Sequence, residues 1–167
     1  MIKVLFVCLG NICRSPLAEV VFNKIVKERG YENQLSSDSA GTSNYHIDEC
    51  PDARTYEVAE KNGLQLDHLG RQIRKSDFQE FDYILAMDNA NYADIMAFRK
   101  KHFTEPREMP EIYKMRKFEG LQEIADVPDP YFGGSKGFDQ VYDILYNSIN
   151  GFLDFLEEKH DLKRNKS

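Results

Sequence analysis

The chain has 167 residues, enough for one domain with its own core. Its 22 basic and 28 acidic residues leave a net charge of −6. That balance excludes a sequence-independent nucleic-acid binder, which needs basic surface to neutralise phosphates. No apolar run approaches the roughly 20 residues of a membrane span. One lysine before "VLFV", with no small-residue cleavage site after it, does not make a signal peptide. Three cysteines, an odd number, suit a reducing cytoplasm better than a disulfide scaffold. Cys8 and Cys13 are five apart, Cys50 stands alone, and no nearby His pair completes a ligand set, so neither a metal nor a cofactor is expected.

Ile2 to Val7 is a continuous apolar, β-branched run and reads as a strand buried on both faces. Pro16 is placed to start a helix with apolar residues at Leu17, Val20, Val21, Ile25 and Val26, stopped at Gly30. "LSSDSAGTS" reads as a second strand running into a polar loop. "DECPDARTYEVAEKNG" gives a helix from Asp52 or the Pro51 turn to Gly63. "KSDFQEF" is one helical turn capped by Ser76 or Asp77. "YILAM" (Tyr83 to Met87) is a third strand, Asp88 opens a helix towards His102, and "EIYKM" is a weaker fourth strand. "DVPDPYFGG" is a loop by its Pro and Gly content. From Phe138 a long helix carries Val141, Leu145, Ile149, Phe152 and Phe155, and residues 161–167 form a charged tail outside a domain of residues 1–160. Alternating strands and helices predict a three-layer α/β fold with a four-stranded parallel sheet flanked by helices. Working loops of such folds lie at the carboxyl ends of strands, where Cys8 falls.

The loop "CLGNICRS" joins the first strand to the first helix. Backbone N–H groups of a short loop leading into a helix bind anions, helped by the helix dipole. Gly10 and Asn11 tolerate left-handed backbone angles, so the loop can curl. Arg14 offers a planar fork of donors suited to two phosphate oxygens. Cys8 sits at the base of this cradle, among N–H dipoles, a helix end and a guanidinium, all of which favour thiolate. Ser15 is within reach of the same sulfur. A nucleophile beneath a bound tetrahedral dianion is an arrangement for phosphoryl transfer to sulfur. The leaving group then needs a proton, but the chain holds many acids and spacing alone does not choose among them. In "VPDPY", Pro128 and Pro130 clamp Asp129 in a rigid loop, where it is either that acid or a turn aspartate capping local N–H groups.

"VCLGNICRSPLAE" resembles the signature of the low-molecular-weight protein tyrosine phosphatases. "DSAGTS" (38–43), "FDYILAMD" (81–88) and "DPYFGG" (129–134) follow in that family's order and spacing, so the resemblance runs from Lys3 to the last helix. It implies a phosphatase acting through phosphocysteine, with Cys8 as nucleophile, Arg14 as phosphate clamp and Asp129 as general acid and then base. Leu9, Gly10, Asn11, Ile12, Cys13 and Ser15 correspond to the phosphate-binding loop. Asn11, Ser39 and His68 correspond to residues that brace it, although "LDHLGRQI" also reads as plain surface loop. Tyr131 and Phe132, with Tyr45 opposite, correspond to an aromatic rim suited to a phenyl phosphate. Ile12 stands where relatives acting on phosphoarginine carry threonine. Cys13 is similar to a partner thiol that traps oxidised Cys8 as a disulfide. The implied partners are phosphotyrosine proteins or peptides, with inorganic phosphate, sulfate or vanadate in the loop, and neither nucleic acid nor membrane. Asn44 and Cys50 depart from the family pattern, which bears on the shape of the rim rather than on the chemistry. Two other functions share these features. An arsenate reductase of the same fold needs a cascade of thiols, for which only Cys50 remains. A non-catalytic phosphate-binding module would lack the acid, whereas both Cys8 and Asp129 are present.

Overall fold

The apolar N-terminal run forms β1 (Ile2–Cys8), the central strand of the computed structural model, which describes residues 1–105 and 107–164. After it come α1 (Arg14–Glu28), β2 (Leu35–Gly41), α2 (Ala53–Lys61), the single turn α3 (Asp77–Glu80) and β3 (Tyr83–Ala86). The chain continues through α4 (Asn89–His102), β4 (Glu111–Lys114), a 3-10 turn at Met115–Glu119 and α5 (Ser135–His160). The strands lie in the order β2-β1-β3-β4, all parallel. The chain leaves β1 to one side for β2 and later returns to its other side for β3. The carboxyl end of β1 is therefore the point where the winding reverses, the usual place for a ligand crevice.

Alternation along β1 decides which face each side chain joins. Val4, Phe6 and Cys8 pack with α1 and α5 through Leu17, Val21, Phe22, Leu145 and Phe152. Leu5 and Val7 join Ile73, Phe78, Ile84 and Ile95 on the other face, beneath α3 and α4. A one-residue register slip would carry the Cys8 side chain to the wrong face.

The boundaries differ from the sequence reading in instructive ways. α1 begins at Arg14, so Pro16 is its third residue and not its first. This costs no hydrogen bond, because the first four N–H groups of a helix have no intrahelical partner. Ser76 precedes α3 without a capping bond, and the Asp77 carboxylate instead accepts from the N–H of Arg74 and from the Arg71 guanidinium. α5 starts at Ser135, three residues before Phe138. Asp52 and Asp88 cap α2 and α4 as expected, accepting from the N–H groups of Arg54 and Asn91. Of the expected tail, Leu162 packs against the core and Lys163 hydrogen-bonds the Gln34 side chain, while residues 165–167 lie outside the described residues. Among the described residues no helix is long and apolar enough to cross a membrane.

Candidate active site

The loop from Cys8 to Arg14 turns its carbonyls outward. Cys8 O accepts from the N–H of Thr42, Leu9 O from the N–H and hydroxyl of Ser43, and Ile12 O from the N–H of Asp52 and the hydroxyl of Thr55. With these oxygens bonded to surrounding segments, the loop N–H groups face the other way. Those of Gly10, Ile12 and Cys13 have no protein acceptor among the described residues. The N–H of Asn11 points at the Cys8 sulfur, 3.3 Å away. The result is a ring of donors around the thiol, an anion cradle made of backbone.

Only Asn11 takes a left-handed conformation here, with φ 57°, whereas Gly10 does not. Position 10 is tight for a different reason: a β-carbon there would stand 2.9 Å from Cδ2 of His46, so that ring would have to shift. Asn11 is fully buried and uses its whole amide. Its Nδ2 donates to Ser15 Oγ at 2.8 Å and Ser39 Oγ at 3.1 Å. Its Oδ1 accepts from His68 Nε2 at 2.7 Å and from the N–H of Arg71 at 3.0 Å. Ser15 accepts from Asn11, and its hydroxyl lies 3.0 Å from the Cys8 sulfur and 3.4 Å from the Ala40 carbonyl, so the nearer of its two possible acceptors is the sulfur. Replacing Asn11 by alanine removes four bonds and leaves a side chain that disfavours this backbone. Asn11→Ala is expected to lower stability by about 2–4 kcal/mol. It should also lower kcat on the order of 10- to 100-fold through misplaced donors. Thermal melts and p-nitrophenyl phosphate kinetics check both, and an unchanged kcat would show that the loop holds its shape without the amide.

Behind Asn11, Ser39 donates to Glu19 at 2.8 Å, and His68 Nδ1 lies 3.4 Å from the same carboxylate. Oδ1 of Asn11 can only accept, so the His68 proton sits on Nε2 and Nδ1 is left as an acceptor. Burial holds His68 below its ordinary pKa and, with help from the Asp38 charge, pushes Glu19 up to about 7. At a pH below about 7, Glu19 is thus mainly neutral at this contact. Glu19, Asp38 and His68 bring ligand atoms within 4.8 Å of one another, and both carboxylates there already accept from Ser39, Glu19 from its hydroxyl and Asp38 from its N–H. The raised folded-state value fixes the sign of a pH effect. Stability from a neutral Glu19 is full below its unfolded value near 4.5 and is lost as pH rises through about 7. Glu19→Gln is expected to remove this loss, gaining up to about 3 kcal/mol over wild type at pH 8. Denaturant titrations at pH 5 and pH 8 measure it, and an equal effect at both would contradict the assignment.

Arg14, 2 % exposed, is fixed from below: its Nη1 donates to Asp88 at 2.7 Å and to Val127 O at 2.9 Å. Its Nη2 lies 3.6 Å from Asp129 Oδ2. The anchored edge leaves the rest of the guanidinium towards the pocket. Burial opposes its charge, but the Cys8 sulfur first, and then Asp88 and Asp129, raise the Arg14 pKa above its ordinary value, so its charge is permanent. Asp129 is half exposed at the pocket mouth, with Oδ1 accepting from the N–H of Tyr131 at 3.1 Å. Its loop is tied down by Arg54, which donates to the carbonyls of Tyr131 and Gly133 and lies over the Tyr131 and Phe138 rings.

The pocket is about 180 Å³, with Cys8, Arg14 and Asp129 at its reactive end. Leu9, Gly10, Ile12 and Cys13 line it, and Tyr45, Tyr131 and Phe132 form its rim. Asn11, Ser15, Ser39 and His68 stand behind the loop as support and do not line it. All three cysteines are free thiols, and burial together with the Asp52 charge pushes Cys13 up to about 12. Four contributors escaped the sequence reading: Asp88 and Arg71, which act through long-range contacts, Arg54, and the rim residue His46. Only Asp88 carried a usable signal, since it directly follows a strand. For the others spacing held none.

Comparison with known proteins agrees with this geometry. The family model for low molecular weight phosphotyrosine protein phosphatase matches residues 3–166. A protein of that name from Schizosaccharomyces pombe is 43% identical over 153 residues, covering 91% of this chain and 95% of that protein. The crystal structure of a protein tyrosine phosphatase from Entamoeba histolytica, with Hepes in its active site, is similar at 40% identity and a TM-score of 0.85, covering 96% of this chain and 99% of the other. A Drosophila arginine phosphatase structure is similar at 35% identity and a TM-score of 0.87, covering 93% and 98%. A strand-borne thiol in a backbone cradle, clamped by a buried arginine and faced by a loop aspartate, occurs in a chain that belongs to the low molecular weight phosphotyrosine protein phosphatase family.

Proposed function

We propose that the chain hydrolyses phosphotyrosine in proteins, with Cys8, Arg14 and Asp129 as its catalytic residues. The observation that carries this reading is the Cys8 sulfur at the floor of a ring of unpaired N–H groups, with Arg14 beside it and the Asp129 carboxyl at the mouth. The phosphoryl dianion sits in the cradle, its oxygens on the loop N–H groups and the Arg14 fork. The Cys8 thiolate attacks phosphorus, the bond to the tyrosine oxygen breaks, and Asp129 gives its proton to the leaving phenolate. Asp129, now a carboxylate, takes a proton from a water that attacks the phosphocysteine. The P–S bond breaks and inorganic phosphate leaves. Sulfate and vanadate, as tetrahedral or oxyanionic mimics, are expected in the same cradle. Three free thiols support a reducing, cytoplasmic setting. The protonated state of buried Cys13 keeps it from competing as a nucleophile. If peroxide converts Cys8 to a sulfenic acid, condensation with Cys13 forms the disulfide and releases water.

The Drosophila arginine phosphatase shares the fold, so the substrate is decided in the pocket. Here Ile12 lines it with an apolar side chain, and Tyr45, Tyr131 and Phe132 offer flat walls for a phenyl ring. Steady-state kinetics on matched phosphotyrosine, phosphoserine and phosphoarginine peptides test the reading. Preferential cleavage of phosphotyrosine is expected, and faster cleavage of phosphoarginine would overturn the substrate assignment.

A further inference from the structure

We propose that the far end of α4 is a docking surface for an acidic segment of a partner polypeptide. α4 follows its cap Asp88, which holds Arg14, and runs away from the catalytic loop for 14 residues, about 21 Å. Its last turn carries Arg99, Lys100, Lys101 and His102. Lys75, before α3, and Arg107, before β4, join them from other parts of the chain and lie 5.4 and 5.1 Å from the centre of the Phe103 ring. Phe103 in turn packs on buried Phe78 at 5.5 Å, so the cluster rests on the core and not on a loose loop.

One or two cations suffice to complement a helix dipole. Here Arg99, Lys100, Lys75 and Arg107 come from three segments to the surface around Phe103, with Lys101 next to them in the chain, and among the described residues none of the five makes a salt bridge. This occurs in a chain with six more acids than bases, where Arg29, Arg71, Lys114 and Arg116 all found carboxylate partners. Between the cations lies a cleft of about 560 Å³ with Met96, Phe103 and Met109 on its floor and Arg99, Lys100 and Arg107 at its sides. Glu105 borders it, and with the net charge of −6 it opposes extended polyanions. A nucleic-acid backbone or a lipid surface also has no single side chain to seat in the apolar floor. A short polypeptide carrying acids around one apolar residue matches both the charge and the cleft.

Fluorescence anisotropy with a labelled oligoglutamate peptide bearing one central phenylalanine tests the proposal, because it reads binding without turnover. The wild-type protein is expected to bind it at low salt and to release it as salt rises. Reversing the exposed Lys100, Lys101 and Arg107 to glutamate should weaken binding by about tenfold or more. Hydrolysis of p-nitrophenyl phosphate should stay unchanged, because the surface is remote from the catalytic loop. A glutamine triple variant at the same positions should show a smaller loss in the same direction if the reversal disturbs folding. No binding by wild type, equal binding by both variants, or stronger binding to phosphatidylserine vesicles or duplex DNA than to the peptide overturns the proposal.

Discussion

Cys8→Ser is expected to reduce turnover of p-nitrophenyl phosphate by on the order of 10⁴-fold or more, the scale of losing a nucleophile outright. The reason lies in what surrounds the sulfur. The Ser15 hydroxyl, the N–H of Asn11 and the Arg14 guanidinium surround the attacking atom. They supply nothing to remove a proton from a serine hydroxyl, which unlike a thiol stays protonated near neutrality. The variant should keep the cradle, because the exchange changes one buried atom and the four bonds of the Asn11 side-chain amide go to Ser15, Ser39, His68 and Arg71, not to sulfur. Phosphate binding measured by calorimetry is therefore expected to survive while turnover disappears. A variant with turnover within tenfold of wild type would rule out the phosphocysteine route. Loss of phosphate binding together with turnover would instead point to a collapsed loop.

Asp129→Asn is expected to lower kcat on phosphotyrosine peptide by roughly 10²–10³. Asparagine can still accept from the N–H of Tyr131, so the loop conformation is retained, but it has no acidic proton to give. The effect should depend on the leaving group. p-Nitrophenolate leaves readily without protonation, so its kcat should fall less than that of the phosphotyrosine peptide. Stability should change little, since Asp129 is half exposed, its contact with Arg14 is 3.6 Å long, and buried Arg14 keeps its shorter bonds to Asp88 and Val127 O. Equal losses on both substrates would assign Asp129 a role in positioning and move the proton donor elsewhere.

Much of this was legible in the chain. The apolar run of β1, the Cys8-to-Arg14 spacing and the two prolines around Asp129 are local facts, and local facts survive folding. Boundaries survived less well. Pro16 reads as a helix start, yet α1 starts two residues earlier, because the orphaned N–H groups of a first turn tolerate proline at any of several places. Gly10 and Asn11 look alike as residues tolerant of left-handed angles, but only Asn11 adopts one, and Gly10 answers to the ring of His46. No spacing announces that contact, since His46 is brought there by a turn whose backbone is bonded to Gly70 on both sides.

The sequence by itself determined the chemistry: a thiol at the end of a buried strand, an arginine one short loop later, and a clamped aspartate far downstream. Those depend on residue type and on short separations, which the chain carries explicitly. Only the tertiary structure decided how the parts are held. Asp88 fixes Arg14 across 74 positions, Arg71 and His68 hold Asn11 across 60 and 57, and Arg54 ties the Asp129 loop across 79. Each is a polar contact, buried or half-buried for Asp88, Arg71 and His68 and exposed for Arg54, that depends on the parallel order of the sheet, which brings the ends of distant strands to one edge. Burial then sets their protonation, as for Glu19 and Cys13, and burial is a property of packing that no stretch of sequence states.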